Sequence, residues 1–387
     1  MCGRRGIDRR WLFAALCFLA YIHNTLAQND QRADTSEVEE LDTLFVKDYS
    51  HMLGVRVFTS TKYNALRIGS ESGDNDLIYR PTNQFNIGVG ASYKKFILNL
   101  GFGIPELTTD RREKFGHSKY LDAQANMFSP ERATNLFLQF FKGYHLSTHT
   151  ESQLGWAEQT TDRPFREDIE QFNFGISTLK IFNSRKYSYR AALNQDAWQR
   201  RSQGTWLLGA YGSYYRLRAD SSLTPTSLAG EFAPEAFMDR GDFVDLGPMG
   251  GYAYTLVINS RFFIMGSAAA GAGLSMHYLE TTPSGSDAPK RSNTTWGPGW
   301  HLQLRGGIGY NSRSNQVGLT FNHEHIHYIM PVQSMVAWNV GNIRFNIVHR
   351  FDKRVGFVDR IMKKLKPNAP AAVEEAVPAV EEVEEEN

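Results

Sequence analysis

The sequence predicts an all-β fold: a transmembrane, antiparallel, up-and-down β-barrel of 12 or 14 strands, with 12 favoured. Two runs within residues 85–102 place large or apolar side chains at every second position, so each strand has one apolar and one small polar face. The pattern recurs along the chain, whereas no apolar run of about 18 residues follows residue 27. The chain also holds 17 Tyr, 25 Phe and 33 Gly, which suit the aromatic girdles and crowded lumen of an outer-membrane barrel.

Residues 1–27 are predicted to be a secretory signal peptide. Trp11–Ile22 is an apolar stretch too short to span a membrane as a helix, and Ala27 precedes the expected mature start at Gln28. This signal predicts Sec export. Cys2 and Cys17 both lie in this segment, so we expect a mature chain without disulfides. The basic residues before the apolar stretch are Arg4, Arg5, Arg9 and Arg10.

The next elements are a polar, acidic periplasmic lead-in at 28–52, expected to be mobile, and the barrel at 53–351. An even strand number is expected with both barrel ends in the periplasm, yet the alternation yields thirteen candidates. The conflict lies between residues 186 and 243, where the stretch 220–242 conceals a missed strand, a falsely split one or an inward fold. The candidates are 53–61, 84–94, 96–104, 118–128, 134–146, 168–183, 186–196, 204–217, 247–258, 261–278, 297–310, 315–328 and 339–351.

The C-terminal region carries an amphipathic helix and an acidic tail. Val355, Val358, Ile361 and Leu365 recur at helical spacing within the basic segment 353–366, so this helix caps the periplasmic mouth, lies on the periplasmic leaflet or binds a specific partner. The Glu-rich segment 367–387 is low in complexity and is expected to be disordered.

The alternation also predicts which side chains face lipid and which face the lumen. The apolar row is Phe96, Leu98, Leu100 and Phe102, with Asn99 on the opposite face. Two interpretations of the lumen stay open: a self-satisfied polar filling, or a narrow water-filled channel that aromatic residues such as Trp206 and Tyr214 could block. The predicted lumen residues are Asp122, Gln124, Asn126, Gln171, Asn173, His301, Gln303, Arg305, Asn342, Arg344, Asn346 and Arg350.

Two groups of residues are candidates for chemistry. His323, His325 and His327 share one strand face with Val317, Leu319 and Phe321, which favours a polar girdle at the outer head-group zone over a metal site or a pH-dependent contact with lipid phosphates. The second group, at a strand-to-loop junction, resembles a Ser/His hydrolase arrangement only weakly. It consists of His145, Ser147, His149 and Glu151. We therefore predict no catalytic, cofactor-binding or metal-binding residue.

Three segments carry a family resemblance. They are 79–104, 182–209 and 251–258. The motifs are Tyr79-Arg80-Pro81 followed by Thr82-Asn83, then Lys186-Tyr187-Ser188-Tyr189 with Tyr187 where Phe is usual, and then Gln199, Ser202 and Gly204. They resemble a family of Bacteroidota outer-membrane β-barrels catalogued as domain-of-unknown-function family 4421. The resemblance covers most of residues 50–351 and implies a barrel in a diderm envelope, with no established activity.

The sequence thus places the chain in the cell outer membrane, without enzymatic activity, as a barrel or narrow solute channel. An outer-membrane enzyme acting on lipid or lipopolysaccharide, and a structural or assembly barrel, are the alternatives. The expected partners are outer-membrane lipid and lipopolysaccharide, the barrel assembly machinery and a periplasmic partner at the C-terminal tail. The net charge of +1 and aromatic residues at strand spacing disfavour nucleic-acid binding.

Overall fold

The structure, a computed structural model, describes residues 41–82, 85–94, 96–158, 161–281, 290–329, 335–356, 358 and 360. The predicted signal peptide 1–27, most of the lead-in 28–52 and the tail 367–387 lie outside these residues. Of the predicted helix 353–366, residues 353–355 are described and are not helical, whereas Gly356, Val358 and Arg360 are helical. Among the described residues, no helix is long and apolar enough to cross a membrane.

Antiparallel strands dominate the fold, and they match the predicted alternation closely. The strands are β1 Val46–Asp48, β2 Leu53–Ile68, β3 Leu77–Arg80, β4 Phe85–Tyr93, β5 Phe96–Gly103, β6 Lys119–Phe128, β7 Arg132–Leu146, β8 Phe165–Ile181, β9 Ala197–Gln199, β10 Gln203–Arg218, β11 Met238–Ile258, β12 Phe262–Thr281, β13 Arg291–Asn311, β14 Asn315–Ile329 and β15 Met335–Phe351. The helices are α1 Pro105–Phe115, α2 Glu151–Leu154 and α3 Tyr189–Ala192. Short 3₁₀ turns lie at Thr226–Leu228 and Pro234–Ala236.

The sheet closes on itself as a ten-stranded barrel. β15 pairs with β2 from Phe351↔Leu53 to Val336↔Ile68, and the circuit runs through β3, β7, β8, β10 and onward to β15. The predicted count of 12 or 14 is therefore wrong. The alternation pattern counts every strand. β4, β5 and β6 pair with strands of the closed circuit but do not belong to it, because β3 joins β2 to β7. We name the end where β2 begins and β15 ends the floor end, and the opposite end the rim end.

One sector of the wall is interrupted. β3 pairs with β2 at Tyr79↔Leu66 and with β7 at Tyr79↔Leu146, so a single strand separates β2 from β7 at the rim end. Towards the floor end, β4 pairs with β2, β5 pairs only with β4, and β6 pairs only with β7. Within the described parts of β5 and β6, no ladder joins the two strands. We call the gap between them the slit.

The wall has an apolar outer face and a polar inner face. Leu98, Leu100 and Phe102 are exposed on the outer face, which confirms the predicted alternation of β5, and Asn99 lies on the opposite face. The side chain of Phe96 lies outside what the structure describes. Towards the rim end the outer face becomes charged and carries ion pairs. These are Lys142–Glu170, Arg216–Asp242, Arg240–Asp242 and Arg240–Glu280.

Two segments fold inward and fill the barrel ends. Residues 182–202 form the floor plug, in which β9 pairs with β1 of the lead-in. The predicted strand 186–196 is therefore wrong, because its alternating Tyr187, Tyr189 and Ala191 are buried side chains of a plug that contains α3. The lead-in is likewise ordered at β1, where Val46 is buried. Residues 219–237 form the rim plug, which is the inward fold considered for 220–242.

Candidate functional site in the barrel interior

The inner face carries a connected polar network centred on Glu324. This buried carboxylate on β14 accepts hydrogen bonds from Asn135 of β7 and from Gln303 Nε2 of β13, the latter at 3.0 Å. His301 Nε2 lies 3.2 Å from the second carboxylate oxygen, and Gln303 also donates to Ser177 of β8. Strands on opposite sides of the lumen are thereby joined through side chains, as a filled barrel requires.

All the predicted lumen residues lie on the inner face, so that part of the sequence analysis is confirmed. The space left among them is small. A cavity bordered by Gln124, Asn126, Asn342 and Arg305 has room for only about one or two water molecules. Trp206 and Tyr214, predicted as lumen aromatics, lie on the outer face instead; Trp206 is 68% exposed. The inward aromatics of β10 are Tyr211 and Tyr215.

The rim end is closed by an apolar cluster. Tyr79 Oη donates a hydrogen bond to the carbonyl of Leu223 in the rim plug at 2.5 Å. Trp338 is fully buried beside Tyr215 and Phe137, and its Nε1 donates to Asn64 Oδ1 at 2.9 Å. The wall and the rim plug therefore share one core.

The floor plug is fixed by buried arginines. Arg350 of β15 donates from Nη2 to the carbonyl of Gln195 at 2.7 Å and from Nη1 to Asn311 Oδ1 at 3.1 Å. Within the plug, Arg190 Nη2 pairs with Asp196 Oδ2 at 3.1 Å. Burial raises the pKa of Asp196 above its ordinary value, while Arg190 opposes that shift. The family motif residues 186–189 thus belong to a structural floor of the barrel.

The three histidines lie on the outer face of β14, half-buried. His323 Nδ1 lies 2.8 Å from Tyr63 Oη, and His325 Nδ1 lies 2.7 Å from Asn339 Oδ1. Trp300 of β13 stacks on His327 with ring centroids 5.1 Å apart. In the described part of the chain, no three His, Cys, Asp or Glu side chains are placed to hold a metal ion. The row forms part of an aromatic and polar outer surface.

The Ser/His group at the end of β7 is dispersed. Ser147 Oγ donates to the carbonyl of Ile78 at 2.9 Å, and His149 Nδ1 lies 3.1 Å from Thr148 Oγ1. His145 stacks on Phe115 of α1, with ring centroids 4.8 Å apart, and Glu151 begins α2. Burial lowers the pKa of His149, which favours its neutral form. Among the described residues, neither histidine is hydrogen-bonded to Ser147.

Sequence reasoning missed two buried inner-face residues. Glu324 lies between His323 and His325 in NHEHIHY, and the histidines drew attention to the outer face. Arg56 lies between Val55 and Val57, whose exposed side chains mark its position as inward. The same period of two that located the outward-facing residues could have found both.

The fold and interior together define the class: a closed antiparallel β-barrel with an apolar outer face and a polar core filled by side chains and two plugs. The family model described as Domain of unknown function (DUF4421) matches residues 40–351, and the chain belongs to that family. No curated protein matches the chain.

Several solved structures have similar strand arrangements, with low sequence identity and low TM-scores. The outer membrane protease OmpT from Escherichia coli is 8% identical, with a TM-score of 0.37, over 79% of this chain and 98% of that one. The translocator domain of the autotransporter NalP from Neisseria meningitidis is 11% identical, with a TM-score of 0.25, over 86% and 99%. Ail, the attachment invasion locus protein of Yersinia pestis, is 10% identical, with a TM-score of 0.20, over 75% and 97%.

Proposed function

We propose that this chain is a closed, non-conducting outer-membrane barrel that acts through its surfaces rather than as a solute channel. The observation that carries the proposal is the reversed polarity of the wall, with apolar side chains outside and a hydrogen-bonded polar interior. A soluble barrel buries the apolar face, whereas a barrel in lipid exposes it. The proposal includes no catalysis, because the Ser147 hydroxyl donates to a carbonyl rather than to a histidine.

The orientation follows from the chain. Both ends of the barrel segment lie at the floor end, so we place the floor in the periplasm and the rim outside the cell. Sec export and the barrel assembly machinery would deliver the chain, and lipopolysaccharide would surround the outer half of the wall. The ion pairs on the outer face near the rim, such as Arg240–Asp242 at 2.8 Å, would lie at or above the head groups.

Insertion can be tested directly. The full mature chain, refolded into vesicles, should migrate faster on a gel before heating than after heating, as closed barrels do. It should also remain in the vesicle fraction after an alkaline wash. A monodisperse protein without detergent or lipid would contradict the membrane proposal.

Conductance separates the closed barrel from the channel. We expect no steady current from the intact chain in a planar bilayer, because side chains and two plugs fill the lumen. A variant with residues 183–202 replaced by a short turn should give larger and more frequent current steps. Regular, ion-selective steps from the intact chain would instead support the narrow solute channel.

A further inference from the structure

The slit is an unusual feature for a wall in a membrane. The facing edges of β5 and β6 carry backbone N–H and C=O groups without a ladder between them. Unpaired backbone groups in hydrocarbon cost several kcal/mol each, so an open edge needs a polar partner or access to a polar lumen. At the rim side of the slit, α1 connects β5 to β6 in the chain, and Lys62 Nζ of β2 forms an ion pair with Asp122 Oδ2 of β6 at 2.8 Å.

The outer flanks of the slit are apolar. Leu98 and Phe102 of β5 are each 63% exposed, and Leu121 of β6 is 60% exposed. They are among the most exposed apolar side chains of the wall, and in a membrane their contact is with acyl chains. Any molecule that reaches the slit from outside therefore comes from the lipid phase.

Two arginines lie behind β5. A Cβ at Gly90 of β4 would lie 2.8 Å from Arg56 Cγ and would collide with Asn99 Oδ1. The absence of a side chain at Gly90 therefore makes room for the side chains of Arg56 and Asn99 on the lumen side of the β4–β5 hairpin. The guanidinium of Arg344 stacks on Phe58 at 4.7 Å, and the Phe58 ring lies against Gly88 and Gly101.

A third arginine lies behind β6. The guanidinium of Arg305 on β13 crosses the lumen to stack on Phe128, the last residue of β6, at 5.3 Å and on Tyr189 of the floor plug at 5.8 Å. Arg305 also borders the small interior cavity together with Gln124 and Asn126 of β6. Arginines thus lie on the lumen side of both strands that flank the slit, where Arg56 and Arg305 are buried.

Asp196 attracts Arg56 and Glu324 attracts Arg305 through space, but within the described residues none of the three guanidinium groups forms a hydrogen-bonded ion pair with a carboxylate. Arg56 Nη2 donates to the carbonyl of Asn194 at 2.6 Å, but its Nε is buried without a partner in the described part of the chain. Arg305 Nη1 and Arg344 Nε are likewise buried and unpartnered, and the described residues give neither side chain a hydrogen bond or an ion pair. A buried charge is costly unless it is paired.

We propose that the slit binds an anionic membrane lipid. The acyl chains lie along Leu98, Phe102 and Leu121, and the phosphate enters between β5 and β6 to reach Arg56, Arg305 and Arg344. Guanidinium groups match phosphate oxygens in charge and in planar, bidentate geometry. The glycerol and ester oxygens of the same lipid meet the open strand edges. This inference rests on the proposed placement in a membrane.

The binding test uses the full mature chain in a neutral detergent with defined lipids. Native mass spectrometry should show one phosphatidylglycerol retained per chain, with phosphatidylcholine retained at least tenfold more weakly. The triple variant Arg56→Gln, Arg305→Gln, Arg344→Gln should lose this preference. The control Arg218→Gln, on the exposed outer face near the rim, should keep it. Equal retention of both lipids by the parent chain would overturn the proposal.

A separate experiment distinguishes binding of a lipid phosphate from binding of free phosphate. Inorganic phosphate at millimolar concentration should neither displace phosphatidylglycerol nor raise the unfolding temperature as the lipid does. If phosphate alone did both, the site would bind a free anion and the lipid proposal would fail.

A cross-linking experiment on the slit remains informative even if the triple arginine variant misfolds. Because the mature chain has no cysteine, Leu100→Cys with Ala123→Cys gives a single pair across the slit. A thiol cross-linker with an extended spacer should react only without phosphatidylglycerol, whereas a direct disulfide should form poorly. Rapid, complete disulfide formation would mean that β5 and β6 are paired, and would overturn the slit. If heat-modifiable migration and insertion are intact while lipid preference is absent, only this inference fails.

Discussion

Two sectors of the wall differ in how completely their backbone N–H and C=O groups are hydrogen-bonded between strands. In the continuous wall, made of β2, β7, β8 and β10–β15, adjacent strands pair over long ladders, and β2 and β7 also pair with β3 and with β4 or β6, respectively. The slit sector, made of β4, β5, α1 and β6, leaves two strand edges facing each other. The continuous wall covers a lumen tied together by Glu324 and Arg350. The slit sector covers three arginines, each with a buried guanidinium nitrogen that has no hydrogen-bond partner among the described residues. On the lipid-binding proposal, one part of the barrel serves stability and the other serves binding.

The largest expected effect lies in the core that the continuous wall encloses at the rim end. Trp338→Ala should lower the free energy of unfolding by about 3–5 kcal/mol, because the indole is fully buried and its Nε1 bonds Asn64. Trp206→Ala is the matched control, since that ring is exposed on the outer face. Urea unfolding in detergent measures both. Equal losses would mean that the rim core does not support the wall.

The lipid-facing rows offer a comparison between the sectors. Leu302 lies halfway between Trp296 and Ile308 on the outward row of β13, so Leu302→Arg should cost about 2–4 kcal/mol near the membrane midplane. Leu98→Arg on β5 should cost about 2 kcal/mol, the lower end of that range, because the guanidinium can turn into the slit. Unfolding in lipid vesicles gives both values. A Leu98→Arg cost well above that of Leu302→Arg would argue that the slit is closed.

The alternation of apolar residues made most of the wall predictable, because it is a local property of each strand. Face assignment failed on β10, where Trp206 and Tyr214 face outward and Tyr211 and Tyr215 face inward. Both faces of that strand carry aromatic residues, so the pattern alone does not show whether its odd-numbered or its even-numbered residues face the lumen. The segment 186–196 was misread because a buried plug also alternates apolar and polar residues. The slit, β3 and the ten-strand closure depend on pairing between distant segments, which no local pattern encodes.

A smaller effect is expected at the floor plug. Arg350→Ala should cost about 1–3 kcal/mol, since it leaves the buried carbonyl of Gln195 without its donor. Protease should then cleave within residues 182–202 faster than in the parent chain. Arg354→Ala, an exposed residue beyond β15, is the control and should change neither measurement. Unchanged cleavage in the Arg350 variant would mean that other contacts hold the plug.

The smallest effect is expected on the outer face of β14. His325→Ala removes a hydrogen bond to Asn339 and a ring contact with Trp300, whose centroid is 4.6 Å away. Both contacts lie on a half-buried outer surface, so the loss should be about 1 kcal/mol or less. The rings of His325 and His327 lie 5.7 Å apart and both contact Trp300, whereas His323 contacts Tyr63, so the three side chains do not converge on one point. We therefore expect metal analysis to find no stoichiometric zinc in either the parent or the variant. Zinc that survived mild chelation in the parent and disappeared in His325→Ala would make this row a metal site, and the continuous wall would then carry a binding function of its own.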